Sequence, residues 1–134
     1  MSDEKIEVIR KAMAAISRRD LPGFLEHLDA DIQLDPLTSV WPRTYRGHEG
    51  IEQWWRDVAE LWEHFVVHPE DFRDRADKTV IVQISWRGRG KGAFAEVEGP
   101  ATTVVRFRDM KVASIQVHFD ETRAMQAIAD TPPG

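Results

Sequence analysis

The amino-acid sequence predicts an α+β domain, in which helices pack on one side of a curved antiparallel sheet. Two observations lead to this prediction. Up to about residue 65, apolar residues recur at helical spacing, whereas beyond it they alternate with a period of two. The alternating segments sort into one apolar face and one mixed face, which is typical of an antiparallel sheet covered by helices on one side only.

Three helices are predicted before the change of period. The first carries an apolar stripe from Ile6 to Ile16, and the second, short one begins at Asp20 ahead of Leu21 and Pro22. The third has the broadest apolar face, formed by Ile51, Trp54, Trp55, Val58, Leu61, Trp62 and Phe65. That face either packs against the sheet or walls a cavity.

Five strands and a final helix complete the predicted order. The strands are expected at residues 31–36, 65–72, 78–88, 101–109 and 111–119, with residues 37–47 forming a loop. The apolar face of the sheet is expected to hold Val80, Val82, Ile84, Trp86, Thr103, Val105, Phe107, Ala113, Ile115, Val117 and Phe119. Asp120 is expected to cap the last helix, which carries Met125 and Ile128.

Composition restricts the classes of function. The 134 residues, 42% of them hydrophobic, predict a single domain over residues 1–134. The net charge of −5 argues against nucleic acid and anionic membranes as partners. Cysteine is absent, and no apolar stretch approaches the length of a membrane span, so the expected location is cytoplasmic. The histidines show no convincing metal spacing, and nothing suggests a metal or an organic cofactor.

Three segments carry a resemblance to a known family. With "RRDLPGFLEHLDADIQLDP", then "YRGHEGIEQWW", then strands ending in "VHFDETRAMQAI", the chain resembles the nuclear transport factor 2-like superfamily from about residue 4 to 129. Within it, the sequence is most similar to the SnoaL-like branch, relatives of polyketide cyclases and ketosteroid isomerases. The resemblance implies a cone-shaped sheet, as in a cystatin-like α+β roll. It also implies a pocket between the concave face and the helices, and a homodimer.

Asp35, directly before Pro36, matches the general base of ketosteroid isomerases, an aspartate before a proline at the end of the first strand. The positions that match the oxyanion-hole acids of that enzyme are Ala12 and Thr103, and neither side chain is a strong acid. Strand alternation places Ile32 and Leu34 on one face and Asp35 on the other. Asp35 is therefore interpreted either as a proton-transfer base or as a strand-ending turn residue.

Two further polar residues stand near the end of the last strand. The SnoaL-like cyclases use an acid near their last strands, and Asp120 is the matching residue, although a helix cap is the favoured interpretation of it. His118 is expected on the surface or in a dimer interface.

The resemblance also predicts ligand-binding residues. Trp41 and Tyr45 would roof the pocket, and the other predicted residues would line it: Trp55, Trp86, Thr103, Val105, Val117 and Phe119. Three hypotheses follow. The first is an isomerase or cyclase that acts on a small apolar molecule with Asp35 as base. The second is a non-catalytic ligand-binding or dimerisation module with a vestigial or filled pocket. The third is an accessory domain that binds a partner protein through the mixed face of the sheet.

Overall fold

The computed structural model describes residues 2–37, 44–75 and 78–118. These ranges form three helices and six strands, in the order α1 (Ser2–Ser17), α2 (Leu21–Leu25), β1 (Leu28–Leu37), β2 (Tyr45–Arg46), α3 (Gly47–Leu61), β3 (Trp62–Arg75), β4 (Thr79–Gly90), β5 (Val97–Arg108) and β6 (Lys111–His118). The predicted last helix, with Asp120, Met125 and Ile128, lies outside the described residues. The element order otherwise follows the prediction, except that β2 forms within the expected loop.

The six strands form one sheet in the order β2-β1-β6-β5-β4-β3. Neighbouring strands run antiparallel except for β1 and β6, which pair in parallel. The predicted α+β fold with helices against a curved sheet is confirmed, and the parallel pair is an addition to it. Alternation of apolar residues sets which face a side chain occupies and carries no information on strand direction, so this pair could not be predicted from the pattern.

The helices pack on one face of the sheet, where the core lies. Phe24 of α2 and Ile51 of α3 are almost completely buried, together with Val80, Val82, Val105 and Phe107 of the sheet. The hydroxyl of Ser17, at the end of α1, exchanges hydrogen bonds with the backbone N–H and C=O of Val67, which joins α1 to β3. The predicted inner face of β4 and β5 is therefore the core face.

The third helix ends earlier than its apolar pattern predicts. The backbone becomes extended at Trp62, so Trp62 and Phe65 belong to β3 rather than to α3. A register irregularity between Trp62 and His64 allows these two rings to lie on the same side of the strand, with centroids 5.8 Å apart. Trp62 and Phe65 are three residues apart, which is a helical spacing, but here an irregularity in the strand produces it.

A second irregularity corrects the predicted face of β6. Arg106 pairs with Ser114, but Phe107 pairs with Val112, so Ala113 is an extra residue in β6. Val112 takes the core position expected for Ala113 and is 2% exposed. A bulge exchanges the faces of the residues on either side of it, and a strict period of two cannot foresee that exchange.

Candidate functional site

A small aromatic cavity lies where the end of α1, the C-terminal half of α3 and the start of β3 meet. Its volume is about 60 Å³, and it is partly open to solvent. The lining side chains are those of Ile16, Arg19, Trp54, Trp55, Val58, Ala59, Trp62 and Phe65. This set is called the aromatic cavity below. Apolar and aromatic walls of this kind suit a flat, largely apolar molecule.

The rings around the aromatic cavity support one another. Trp54 and Trp55 meet edge to face with centroids 6.0 Å apart, and Phe24 lies 5.9 Å from each of them. On the opposite wall, Trp86 lies behind Trp62 and Phe65, at 6.1 and 6.5 Å. Such ring pairs contribute roughly 0.5–1.5 kcal/mol each beyond the area that they bury. The walls are thus fixed by packing and do not depend on a ligand.

A glycine makes room for one of these rings. A β-carbon on Gly88 would lie 2.8 Å from the Trp62 ring and 3.1 Å from the carbonyl oxygen of His64. Any side chain at residue 88 would therefore displace Trp62. The position of this wall depends on a glycine in the neighbouring strand.

The structure brings some of the predicted ligand-binding residues to the aromatic cavity and separates others from it. Trp55 lines it, and Trp86 supports it from behind. Thr103, Val105 and Val117 lie on the inner face of the sheet, in or against the core, and do not line the cavity. Trp41 and Phe119 lie outside the described residues. Ligand binding by these residues stays a prediction.

Tyr45 makes a buried polar contact. Its hydroxyl donates a hydrogen bond of 2.6 Å to the carboxylate of Asp57, and the side-chain amide of Gln53 donates one of 2.8 Å to the same carboxylate. Tyr45 and Asp57 are both buried. Tyr45 therefore ties β2 to α3, a structural role distinct from the predicted one in the pocket roof.

Asp35 lies on the opposite face of the sheet from the helices. Ile32 and Leu34 of the same strand are in the core, as alternation predicts for the other face. The Asp35 carboxylate accepts hydrogen bonds from the Gln33 amide at 3.0 Å and the Thr44 hydroxyl at 2.5 Å. These contacts anchor the end of β1 to the segment that enters β2, and Asp35 does not line the aromatic cavity.

His118 shares this outer face of the sheet with Asp35. It is only 6% exposed, which corrects the expectation of a surface position. Burial lowers the pKa of His118, and the nearby Arg106 lowers it further, whereas Asp35 acts in the opposite direction. Its Nε2 atom, Ser114 Oγ and Gln116 Oε1 are buried without a hydrogen-bond partner in the described part of the chain. The outer face therefore carries polar groups that are withdrawn from water and incompletely paired.

Sequence comparison identifies the family of this chain. A family model described as a SnoaL-like domain matches residues 9–115, which is most of the sequence. The chain belongs to the SnoaL-like family. A search of curated proteins finds no match.

Solved structures show the same fold for this SnoaL-like protein. A nuclear transport factor 2-like protein of unknown function from Burkholderia pseudomallei is 20% identical, with a TM-score of 0.79 over 92% of this chain and 95% of the other. TerC, co-crystallised with polyporic acid, is 21% identical, with a TM-score of 0.77 over 95% and 99% of the two chains. A ketosteroid isomerase-like protein from Catenulispora acidiphila, in complex with trimethylamine, has the same identity and TM-score over 85% of each chain. At these identities the likeness establishes the fold, and the resemblance predicted from the sequence is confirmed.

The SnoaL-like domain also contains site residues that the sequence did not reveal. Arg19, within "SRRD", carries no signal that distinguishes it from its neighbour Arg18. The sequence pattern places Asp57 on the solvent-facing side of an amphipathic helix. In the structure it is buried, and it accepts a hydrogen bond from Tyr45. Trp54 and Trp62 were visible as part of an aromatic face, but their place at a cavity depends on where α3 ends.

The described residues of the SnoaL-like domain contain neither a metal-binding cluster nor a membrane-spanning helix. Across residues 2–37, 44–75 and 78–118, no three histidine, cysteine or acidic side chains are grouped so that they could hold a metal ion. Nor does any helix in these ranges have the length and apolarity needed to cross a membrane.

Proposed function

We propose that this SnoaL-like protein binds a small, planar, largely apolar molecule in the aromatic cavity, without proton-transfer catalysis at that site. The observation that supports this proposal is the composition of the lining, which is aromatic and aliphatic except for Arg19. No carboxylate, histidine or hydroxyl stands among the described lining residues, so the cavity itself offers no general base. Two solved relatives of the same fold hold small molecules, polyporic acid in one and trimethylamine in the other.

The test is binding of a planar probe that carries a single ring. We expect cinnamyl alcohol and cinnamate to shift the indole N–H resonances of Trp54, Trp55 and Trp62 in NMR titrations. Ala59→Phe should weaken binding of both probes by about tenfold or more, because the new ring would occupy the cavity. Ala59 is exposed on α3, so the variant should fold.

Ala14→Phe is the matched control for this filling variant. Ala14 is likewise exposed on a helix but does not line the aromatic cavity. Its affinity for the probes should equal that of the wild type. Equal weakening by both variants, or wild-type protein that binds neither probe, would disprove the proposal.

The catalytic alternative assigns a proton-transfer reaction to Asp35. The Asp-Pro motif that suggested it is present, but the carboxylate lies on the face away from the aromatic cavity and both oxygens accept hydrogen bonds. Substrate bound in the cavity would therefore be on the wrong side of the sheet from this base. Asp35→Asn should leave probe affinity unchanged, whereas a loss of turnover on an identified substrate would favour the isomerase or cyclase hypothesis.

Homodimer formation through the outer face of the sheet is part of the same proposal, as the family resemblance implies. The helices occupy the other face of the sheet, so a two-fold interface through the outer face would place that face against its own copy. The cytoplasmic location stays a prediction.

A further inference from the structure

We propose that the ligand of the aromatic cavity carries one anionic group, a carboxylate on a planar apolar skeleton, and that Arg19 binds this group at the mouth of the cavity. The inference rests on the proposed function, since it names the ligand class for the same cavity. Among the described lining residues, Arg19 alone is charged. It lies between the end of α1 and the start of β3, and it is exposed to solvent.

Arg19 is held in place but is not neutralised. Its guanidinium donates one hydrogen bond to the backbone carbonyl of Glu63, the second residue of β3. It forms no ion pair with any described residue. The Glu63 carboxylate is engaged instead by Arg89, at 3.3 Å. The planar guanidinium carries five N–H donors, so most of them remain available to a carboxylate, which it can bind with two parallel hydrogen bonds.

The neighbouring Arg18 differs from Arg19 in that its charge is paired. Its guanidinium lies 3.0 Å from the carboxylate of Asp20, so its charge already has a partner. Arg18 does not line the aromatic cavity. Of two adjacent arginines at the end of α1, one is therefore paired on the surface, and the other is placed at the cavity with its charge uncompensated.

The backbone of Arg19 makes this residue an unexpected choice at its position. Its φ of 58° lies in the left-handed region of backbone conformation, which residues other than glycine rarely adopt. The N–H of Arg19 donates to Ile16 O at 3.1 Å, and that of Asp20 donates to Ala15 O at 2.8 Å. These two bonds define the Schellman motif that ends a helix, and its left-handed position is usually occupied by glycine.

Residues held against the local backbone preference cluster at functional sites. The single hydrogen bond to Glu63 is exposed to solvent and is a weak compensation. A cation at the mouth of an apolar cavity offers an anionic ligand a local attraction, even in a chain of net charge −5. The aromatic walls would then take the planar skeleton and Arg19 the carboxylate.

The experiment compares two probes that differ only at one group, cinnamate and cinnamyl alcohol. Dissociation constants are measured by NMR titration for the wild type, Arg19→Gln and Arg18→Gln, which change the net charge equally. We expect the wild type to bind cinnamate about 3- to 10-fold more tightly than the alcohol, the range typical of a partly exposed charged pair. Arg19→Gln should reduce this ratio to about one without weakening the alcohol, and Arg18→Gln should preserve it.

Arg19→Gly separates the side chain from the backbone. Glycine relieves the left-handed conformation, so its midpoint of thermal unfolding should equal or exceed that of the wild type. The preference for cinnamate should nevertheless be lost. A folded variant without this preference assigns the effect to the guanidinium and not to a damaged fold.

The possible failures are distinguishable. Equal wild-type affinities for the two probes would overturn the role of Arg19 and leave the aromatic cavity as a binding site. The same loss of preference in Arg18→Gln as in Arg19→Gln would also overturn it, because a general electrostatic field would then explain the result. Failure of both probes to bind the wild type would overturn the proposed function itself.

Discussion

At the scale of single residues, the buried hydrogen bond between Tyr45 and Asp57 is a contact that the sequence pattern does not predict. A carboxylate out of water must keep its hydrogen-bond donors, and Tyr45 and Gln53 supply them. We expect Tyr45→Phe to lower the free energy of unfolding by about 1–3 kcal/mol, the cost of removing one donor from a buried carboxylate. Urea unfolding measures this change.

The same variant distinguishes the structural role of Tyr45 from the predicted role in the pocket roof. Probe affinity should be unchanged in Tyr45→Phe, because Tyr45 does not line the aromatic cavity. A variant of wild-type stability with weakened probe binding would instead restore Tyr45 to the ligand site.

At the scale of elements, the contact between β3 and β4 positions one wall of the aromatic cavity. We expect Gly88→Ala to destabilise the protein by about 1–3 kcal/mol, because the added methyl group would overlap the Trp62 ring at 2.8 Å. Displacement of Trp62 should also weaken probe binding. Thermal unfolding and the cinnamate titration measure the two effects.

Gly90→Ala is the control in the same strand. The nearest atoms to a β-carbon there are the Leu61 carbonyl oxygen at 3.7 Å and Ala93 Cβ at 4.0 Å, which are ordinary contacts. This variant should have wild-type stability and affinity. If Gly88→Ala behaves in the same way, the close packing of Trp62 against β4 does not hold in solution.

At the scale of the whole molecule, buried His118 and partly buried His27 link stability to pH. Burial lowers the pKa of His118 below its ordinary value of 6.5, so the folded state binds a proton less readily than the unfolded state. This contribution to stability is fully present above about pH 6.5 and is lost as the pH falls toward the lowered pKa. The protein should therefore be less stable to urea at about pH 5.5 than at about pH 7.5.

Two variants separate the contributions of the two histidines to this pH dependence of stability. Burial is also the main cause that lowers the pKa of His27, so His118→Gln and His27→Gln should each reduce the loss of stability between the two pH values. If His118→Gln lost as much stability between the two pH values as the wild type, burial and Arg106 would not be holding His118 in its neutral form.

The outer face of the sheet supplies a prediction about assembly. Multi-angle light scattering should give a mass twice that of one chain. Gln116→Arg, beside Asp35 and opposite Val104 in the sheet, should reduce the mass to that of a monomer, because a two-fold interface would bring the added charge against its own copy. Ala14→Arg, on the helical layer, should remain a dimer. A monomeric wild type would refute the proposed homodimer.

The sequence by itself determined the fold and the family. Apolar spacing along α1 and α3, and alternation along β4 and β5, predicted which face of each element joins the core, because burial of apolar surface dominates folding and follows the periods of helix and strand. The quoted motifs then identified the SnoaL-like resemblance. The predicted face of Asp35, opposite Leu34, was likewise decided by alternation alone.

The tertiary structure decided what the periods could not encode. The end of α3 at Leu61, the bulge at Ala113 and the parallel pairing of β1 with β6 depend on how strands register against one another over long distances in the chain. The burial of Asp57 and the position of Arg19 depend on neighbours far away in sequence. The aromatic cavity is therefore a property of packing between elements, since its walls come from three segments whose meeting no local pattern specifies.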